Sequence, residues 1–453
     1  MSINLKTGDL GLRKLGRNTI QTLLRQGLSI IFGLGLSIFL ARSLGPEGNG
    51  QYAMVVLLPT MIATFLNLGV APANVYHISS GRVTIKSALI SSVWLWLILT
   101  IIGLLVAILI LVAKSETLFP GIPTSLIWVG IVTFPLILLQ SYLSSLLHGM
   151  QDFKRYNFVT LIVSPITLLL ALIFVLILNK SVFGALIAFI GGNIISLLIT
   201  IIILLPYIRK TKEDTNNKVS DSYTKRCINY GWKAHLSNIL TFINYRADLF
   251  LVNFFLNPTS TGIYIIAIQI AEKLWILSQS ISIVIFPLLS EMHTNEYKRK
   301  QLTPLISRWL FLFSSIGAIG MALLASSFIN ILYGANFAPA TSALLWLLPG
   351  ILVGNVSRVL ANDIAARGKP EFNLYAALVV VSINVIANIF LIPLYGIEGA
   401  AIATTLAYIV DGIVKLGIYS HVSKNPWWKV ILMNNDDWKL FQDVISGIKR
   451  DLR

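Results

Sequence analysis

The feature that most limits what this chain can fold into is a succession of apolar runs, each long enough to cross a bilayer, separated mostly by short polar loops. A spanning helix needs about 20 predominantly apolar residues. Such runs occur at roughly 18–42, 50–78, 86–113, 124–148, 156–178, 182–207, 228–256, 261–290, 303–332, 338–366, 371–393 and 397–421. Only 12% of the 453 residues are charged, against about 25% in soluble domains. A chain so poor in charge cannot hide its apolar side chains in one aqueous core, so lipid must solvate much of its surface. The pattern predicts an all-α, multi-pass membrane protein of about twelve transmembrane helices. Pro59, Pro135, Pro165, Pro287 and Pro349 fall inside spans, where bends are expected.

The loops orient the chain. With the N-terminus inside, every inner segment is basic, from Lys6, Arg13, Lys14 and Arg17, through Lys154 and Arg155, to Lys298, Arg299 and Lys300. The outer loops hold only Lys114 and Lys180. This is the positive-inside bias, and it places both termini in the cytoplasm. The net charge of +16 is thereby explained by orientation rather than by nucleic acid. The basic N-terminal stretch leads into an apolar run with no small-residue cleavage site, so it does not read as a cleavable signal.

The longest polar stretch, 209–226, reads as a cytoplasmic linker between residues 1–208 and 227–421, two six-helix lobes. The two halves repeat one another. LGPEGNGQY (44–52) matches LNPTSTGIY (256–264) at an offset of 212, HGMQDF (148–153) matches RGKPEF (367–372), and GALIA (184–188) matches GAAIA (399–403). An even number of helices per half makes these parallel repeats, an arrangement in which a substrate path runs between the halves. Residues 422–453 form a tail. In it Trp438, Phe441, Val444, Ile445, Ile448 and Leu452 recur at helical spacing, which predicts an amphipathic helix on the inner lipid surface.

Charges inside spans are costly, about 2.5–3.5 kcal/mol each at the bilayer centre on insertion scales. They therefore mark cavities or partners. Arg25, Arg246, Lys273 and Arg358 are the candidate cavity cations, while Arg308 and Lys233 lie near the inner edge and read as snorkelling. Asp248, Asp363 and Asp411 are the candidate ion-coupling carboxylates; Asp411 also stands four residues from Lys415, a spacing that suits an ion pair on one helix face. Basic residues outnumber acidic ones in the spans, which suits an anionic substrate. Span asparagines such as Asn67, Asn355, Asn384 and Asn388 suit interhelical hydrogen bonds.

Several classes are excluded or disfavoured. The single Cys227 and five scattered histidines offer no metal-ligand spacing. No nucleophile elbow and no phosphate-binding GxxxxGK[ST] loop occurs. An enzyme is not expected, no cofactor is implied, and an H⁺ or Na⁺ gradient is the candidate energy source. The longest outer loop, around 114–123, is too short for the catalytic domain of a polysaccharide polymerase.

FLARSLGPEGNGQYAM (39–54) resembles the helix 1–2 junction of the polysaccharide-export branch of the multidrug/oligosaccharidyl-lipid/polysaccharide (MOP) superfamily. NYRADLFLVNFFLNPTSTGIYIIAIQIAEKLW (244–275) is similar to its helix 7–8 signature. Residues 332–350 and 367–408 resemble its helix 9–12 region. The resemblance implies an O-antigen-type flippase of the bacterial plasma membrane, moving undecaprenyl-diphosphate-linked oligosaccharide repeat units by alternating access. Arg25, Arg246, Lys273 and Arg358 then become head-group contacts, and a polysaccharide polymerase and glycosyltransferases become candidate partners. Two relatives in the superfamily stand as alternatives: peptidoglycan lipid II flippases, usually with fourteen helices, and multidrug exporters, which usually use acidic residues for cationic drugs.

Overall fold

Inside a bilayer every backbone N–H and C=O must be satisfied within the protein, and this chain does so with helices. A computed structural model describes residues 5–178, 181–210, 217–292, 296–433 and 437, and among the described residues there is no strand. In order come α1 (Leu5–Leu66), α2 (Val70–Ser79), α3 (Ile85–Leu118), α4 (Thr124–Ile131), α5 (Thr133–Gly149), α6 (Phe153–Leu161) and α7 (Val163–Ala171). A π-turn over Leu172–Ile177 precedes α8 (Ser181–Lys210) and α9 (Asn217–Phe255). Then follow α10 (Pro258–Ala271), a 3₁₀ turn over Glu272–Leu274, α11 (Trp275–Glu291) and α12 (Glu296–Leu332). A 3₁₀ turn over Ala335–Phe337 leads to α13 (Ala340–Ala366), α14 (Pro370–Ser423) and the short α15 (Trp428–Ile431).

Among the described residues, nine helical stretches are long and apolar enough to cross a membrane. The chain is thus a multi-pass helical membrane protein. Two of the helices are too long for one crossing. The 62-residue α1 carries a non-helical Gly45 (φ 68°), and the 54-residue α14 carries a non-helical Gly396 (φ 61°). Both glycines adopt a backbone region that L side chains rarely enter.

The proline positions explain two further breaks. A helical proline removes one N–H and crowds the carbonyl four residues back. Four residues before Pro135 is Ile131, the last residue of α4; four before Pro165 is Leu161, the last residue of α6. In each case the helix stops and restarts after one intervening residue, and the span continues at a bend.

The chain divides into two compact units, one of Met1–Ile265 with Leu332–Phe337, the other of Ile266–Ile331 with Ala338–Arg453. The core of the first gathers Phe134, Leu138, Tyr142, Leu146, Val159 and Tyr223, all fully buried, around α1–α3, α5, α6, α8 and α9. In the second, Ile285, Leu289, Leu310 and Val359 join α11, α12 and α13, and Leu360, Ile364, Tyr419 and Val430 join α13, α14 and α15. By contrast α3 turns Leu97, Ile98, Ile101, Leu105, Leu109 and Val112 outward, a surface suited to lipid.

The repeated segments meet each other within the first unit. A Cβ built on Gly50 would lie 1.7 Å from the carbonyl oxygen of Pro258, and one on Gly262 would lie 1.8 Å from that of Pro46. Both pairs are matched by the 212-residue offset, so each glycine faces the other segment's proline. The crossing is held by the Asn49 amide, which donates to the Gly262 carbonyl at 3.0 Å. Only glycine permits this approach at either position.

In the second unit the basic loops collect at one end. Arg367 bonds Glu296 at 2.6 Å, and the Asn425 amide donates to the Lys300 carbonyl at 2.7 Å. The start of α12 and the ends of α13 and α14 therefore lie together. In the first unit the Tyr207 hydroxyl at the end of α8 donates to Asp152 at 2.7 Å, joining two more basic loops.

Of the expected linker 209–226, α8 takes the residues to Lys210 and α9 those from Asn217, while 211–216 lie outside the described residues. The expected amphipathic helix of the tail, from Trp438 onward, also lies outside them.

Candidate functional site

The charged residues of the spans are where an apolar chain spends its exceptions, and the structure gives each a setting. In the first unit Arg25 lies in α1, half-buried, and its Nε is buried with no hydrogen-bond partner among the described residues. Arg246 lies in the last third of α9, half-buried, and its Nη1 donates to the Tyr245 carbonyl at 3.0 Å. Two residues on, Asp248 is 2% exposed. It does not share a helix face with Arg246. Its Oδ2 accepts from the Tyr264 hydroxyl at 2.8 Å, and its Oδ1 accepts from the Leu249 N–H at 2.7 Å. The tyrosine of the second repeat segment thus ties α10 to α9.

In the second unit the 3₁₀ turn Glu272–Leu274 interrupts the span shared by α10 and α11. A 3₁₀ stretch inside a helix frees carbonyls from the i→i−4 ladder, and the Asn355 amide of α13 reaches the Leu274 carbonyl at 3.5 Å and the Ser314 hydroxyl at 3.0 Å. Lys273 sits in this turn, half-buried. The guanidinium of Arg358 lies 5.2 Å from the centre of the Trp275 ring, which is itself packed edge-on against Tyr408. A cation over the indole face is attracted by the ring quadrupole, so Arg358 is positioned by Trp275, which follows Lys273 by two residues.

The remaining carboxylates are engaged. Asp411 accepts from the Lys415 ammonium at 2.8 Å, as the four-residue spacing suggests, and from the Ser357 hydroxyl. Asp363 is fully buried at the basic-loop end. It accepts from Thr303 at 2.6 Å, lies 3.6 Å from Arg299, and bonds Arg367. Arg299 also donates to the Asp363 backbone carbonyl at 3.0 Å. Two arginines, Asp363 and Glu296 thus form one closed cluster, in keeping with Asp363's place near the end of α13.

Arg308 departs from expectation. Rather than snorkelling, it is 7% exposed and paired with Asp437 of the tail at 2.6 Å. The side chain of Lys233 lies outside those described. The span asparagines mostly bond within the protein: Asn67 to Ser141 at 3.4 Å, and Asn388 to Asn384.

Sequence reasoning found the charged positions and the Asp411–Lys415 pair, and missed the other partners. Trp275, Tyr264 and Asp437 carried no anomaly of their own, because an aromatic in a span or an acid in a tail is ordinary. The one local hint was that Trp275 follows Lys273 by two residues.

Outside the spans, Asp152 caps α6. Burial pushes its carboxyl up, but hydrogen bonds from Tyr207 and from the Arg155 backbone and guanidinium outweigh this and hold it below its usual range. The same triad closes on itself through a bond from Arg155 to the Tyr207 hydroxyl.

These features define a polytopic helical membrane protein with broken spans and a charge-bearing interior. The chain belongs to the polysaccharide biosynthesis protein family, whose pattern it matches over residues 15–293. It is 24% identical over 420 residues to an O-antigen transporter candidate of Shigella flexneri, covering 90% of this chain and 98% of that one. It is also 24% identical over 224 residues to the low-salt glycan biosynthesis flippase candidate Agl15 of Haloferax volcanii. That match covers 49% of this chain and spans 47%, about half, of the archaeal relative. Among solved structures, the inward closed conformation of the lipid II flippase MurJ superposes with a TM-score of 0.72 at 17% identity, covering 96% of this chain and 99% of that one. The chain therefore shares the fold of MurJ.

Proposed function

We propose that this chain is a flippase that carries lipid-linked oligosaccharide repeat units across the plasma membrane for polysaccharide biosynthesis. The observation that carries the reading is the sign of the span charges. Arg25, Arg246, Lys273 and Arg358 stand in apolar helices, and basic residues outnumber acidic ones in the spans. A polyprenyl diphosphate brings two phosphates to be neutralised, and arginine suits phosphate recognition. The family match and the full-length likeness to the Shigella flexneri protein support the same substrate class. An undecaprenyl carrier, a bacterial membrane and neighbouring polymerase and glycosyltransferase enzymes belong to this proposal.

The topology we propose has twelve crossings. The helices α1 and α14 each cross twice, turning at Gly45 and Gly396, and α9 crosses once. The pairs α4–α5, α6–α7 and α10–α11 are each one bent crossing. The basic loops face the cytoplasm. For coupling to H⁺ or Na⁺, Asp248, Asp363 and Asp411 are the carboxylates we propose, each a buried or half-buried acid within a membrane-spanning helix.

The test is the sidedness of lipid-linked oligosaccharide in cells lacking this gene. The expected result is glycolipid trapped on the cytoplasmic face and cleared when the gene is restored. Normal sidedness with altered polymer length or altered drug resistance would sink the reading in favour of a polymerase partner or a drug exporter.

A further inference from the structure

Two cavities in the second unit flank the short helix α15, and the transport reading uses neither. The first, about 520 Å³, is walled by the start of α12, by α15 and by the residues that follow it. Its charged lining is Lys300, Arg308, Lys429 and Asp437. It is a built site. Arg308 is 7% exposed, pairs with Asp437 at 2.6 Å and bonds the Lys429 carbonyl. Its Nε is left buried without a hydrogen-bond partner among the described residues. The Asn425 amide fixes the backbone of Lys300 at 2.7 Å. Asp437 offsets one cation, so among the described residues the lining keeps two positive charges in excess.

The second cavity, about 280 Å³, is lined by apolar side chains that include Phe311, Val356, Leu416, Val430 and Ile431. Its one polar lining residue, Ser357, gives its hydroxyl to Asp411. Phe311 is three residues beyond Arg308 on α12. The apolar cavity therefore lies about 4.5 Å farther from the basic-loop end than the charged one. Around them Trp427, Trp428 and Leu432 are exposed, and tryptophan favours the membrane–water interface.

We propose that these cavities bind an anionic phospholipid of the leaflet at this end, with the phosphate held in the cationic cup and an acyl chain in the apolar cleft. A cup with surplus positive charge, and a greasy cleft one helical turn deeper, match the layered chemistry of such a lipid. Free phosphate would use the cup alone. A zwitterionic lipid would use the cleft and gain little from the surplus charge. The combined volume is in the range that holds small-molecule ligands, roughly 300–1,000 Å³. The site does not depend on what the protein carries.

The test uses the full chain, purified in detergent and stripped of lipid, with binding read by native mass spectrometry. Phosphatidylglycerol should bind at least ten-fold more tightly than phosphatidylcholine of the same chains. A lysine near an anionic lipid head is worth about a five-fold change in affinity. The double variant Lys300→Gln/Lys429→Gln should therefore lose about 25-fold for phosphatidylglycerol and little for phosphatidylcholine. Lys429 is exposed and Lys300 half-exposed, so the fold should survive, which a thermal melt checks. Ile431→Asn, in the cleft, should weaken both lipids alike. Equal binding of the two lipids, a preference that persists in the double variant, or displacement of the lipid by millimolar inorganic phosphate would overturn the proposal.

Discussion

The crossing of Gly50 and Gly262 allows a prediction in which sign and size both come from geometry. In Gly50→Ala the new methyl group would start 1.7 Å from the Pro258 carbonyl oxygen. Real Cβ atoms essentially never come closer than 3.0 Å to such a neighbour, and the obstacle here is backbone, so the two segments must part by about 1.3 Å or more. Overpacking of this kind costs about 1–3 kcal/mol. The hydrogen bond from Asn49 to Gly262 spans the same crossing, and stretching it removes about 1 kcal/mol more. Against this, alanine in place of glycine favours a helix by about 1 kcal/mol. The net expectation is a loss of about 1–3 kcal/mol. Gly33→Ala is the matched control: it lies on the same helix and its Cβ meets nothing within 4 Å, so it should be neutral or stabilising. Thermal unfolding of the purified protein in one detergent reads the difference. Gly262→Ala should behave like Gly50→Ala, and the double variant should lose less than the sum, because both substitutions open the same contact. If Gly50→Ala melts with Gly33→Ala, the close crossing is not as described.

Four further outcomes follow from other sites. Asp363→Asn leaves Arg299 and Arg367, both under 10% exposed, without their buried carboxylate, and should cost about 3–5 kcal/mol in the same melt. Arg358→Lys keeps the charge but loses the flat guanidinium over Trp275; transport should fall less than in Arg358→Ala, and Trp275→Leu should lower transport in the wild type far more than in Arg358→Ala. Asp411→Asn removes the partner of Lys415 and should destabilise the protein by about 1–2 kcal/mol, with Asp411→Glu recovering part of it. Asp152 should make stability pH-dependent. Its folded carboxyl is held below its usual value, so its contribution is present above the unfolded value near 4 and is lost as pH falls through the lower folded one. The melting gap between wild type and Asp152→Asn should therefore narrow on acidification below about pH 4; a constant gap would rule out the ionised triad.

The spans were legible because lipid enforces them: a run of 20 apolar residues has few other homes. The matched segments around Pro46, Gly50 and their counterparts stood out in the sequence, and the structure brings those segments into a close crossing that tolerates few residue types. The bends after Ile131 and Leu161 follow from Pro135 and Pro165 by the four-residue rule, although where each helix restarts depends on packing. The candidate site was half visible. A charge in a span stands out against its neighbours, so Arg246, Lys273, Asp248 and Arg358 could be picked from composition alone. Their partners could not. Asp248 meets Tyr264 across a loop, Arg358 meets Trp275 from another helix, and Arg308 meets a tail residue 129 positions away. Such pairings are properties of tertiary packing. Arg308 shows the consequence most clearly, since nearness to the membrane edge suggests snorkelling and only the fold brings Asp437 to it.

The measurement that tests the central claim most directly is translocation by the purified protein in sealed liposomes. Polyprenyl-diphosphate oligosaccharide with a fluorescent sugar would be placed in both leaflets and quenched from outside. The account predicts that wild-type protein raises the quenchable fraction from about half towards completion, and that Arg246→Ala and Lys273→Ala, incorporated equally, slow this at least ten-fold. Unchanged quenching with wild-type protein under an imposed H⁺ or Na⁺ gradient, or equal rates in the charge-removed variants, would contradict it.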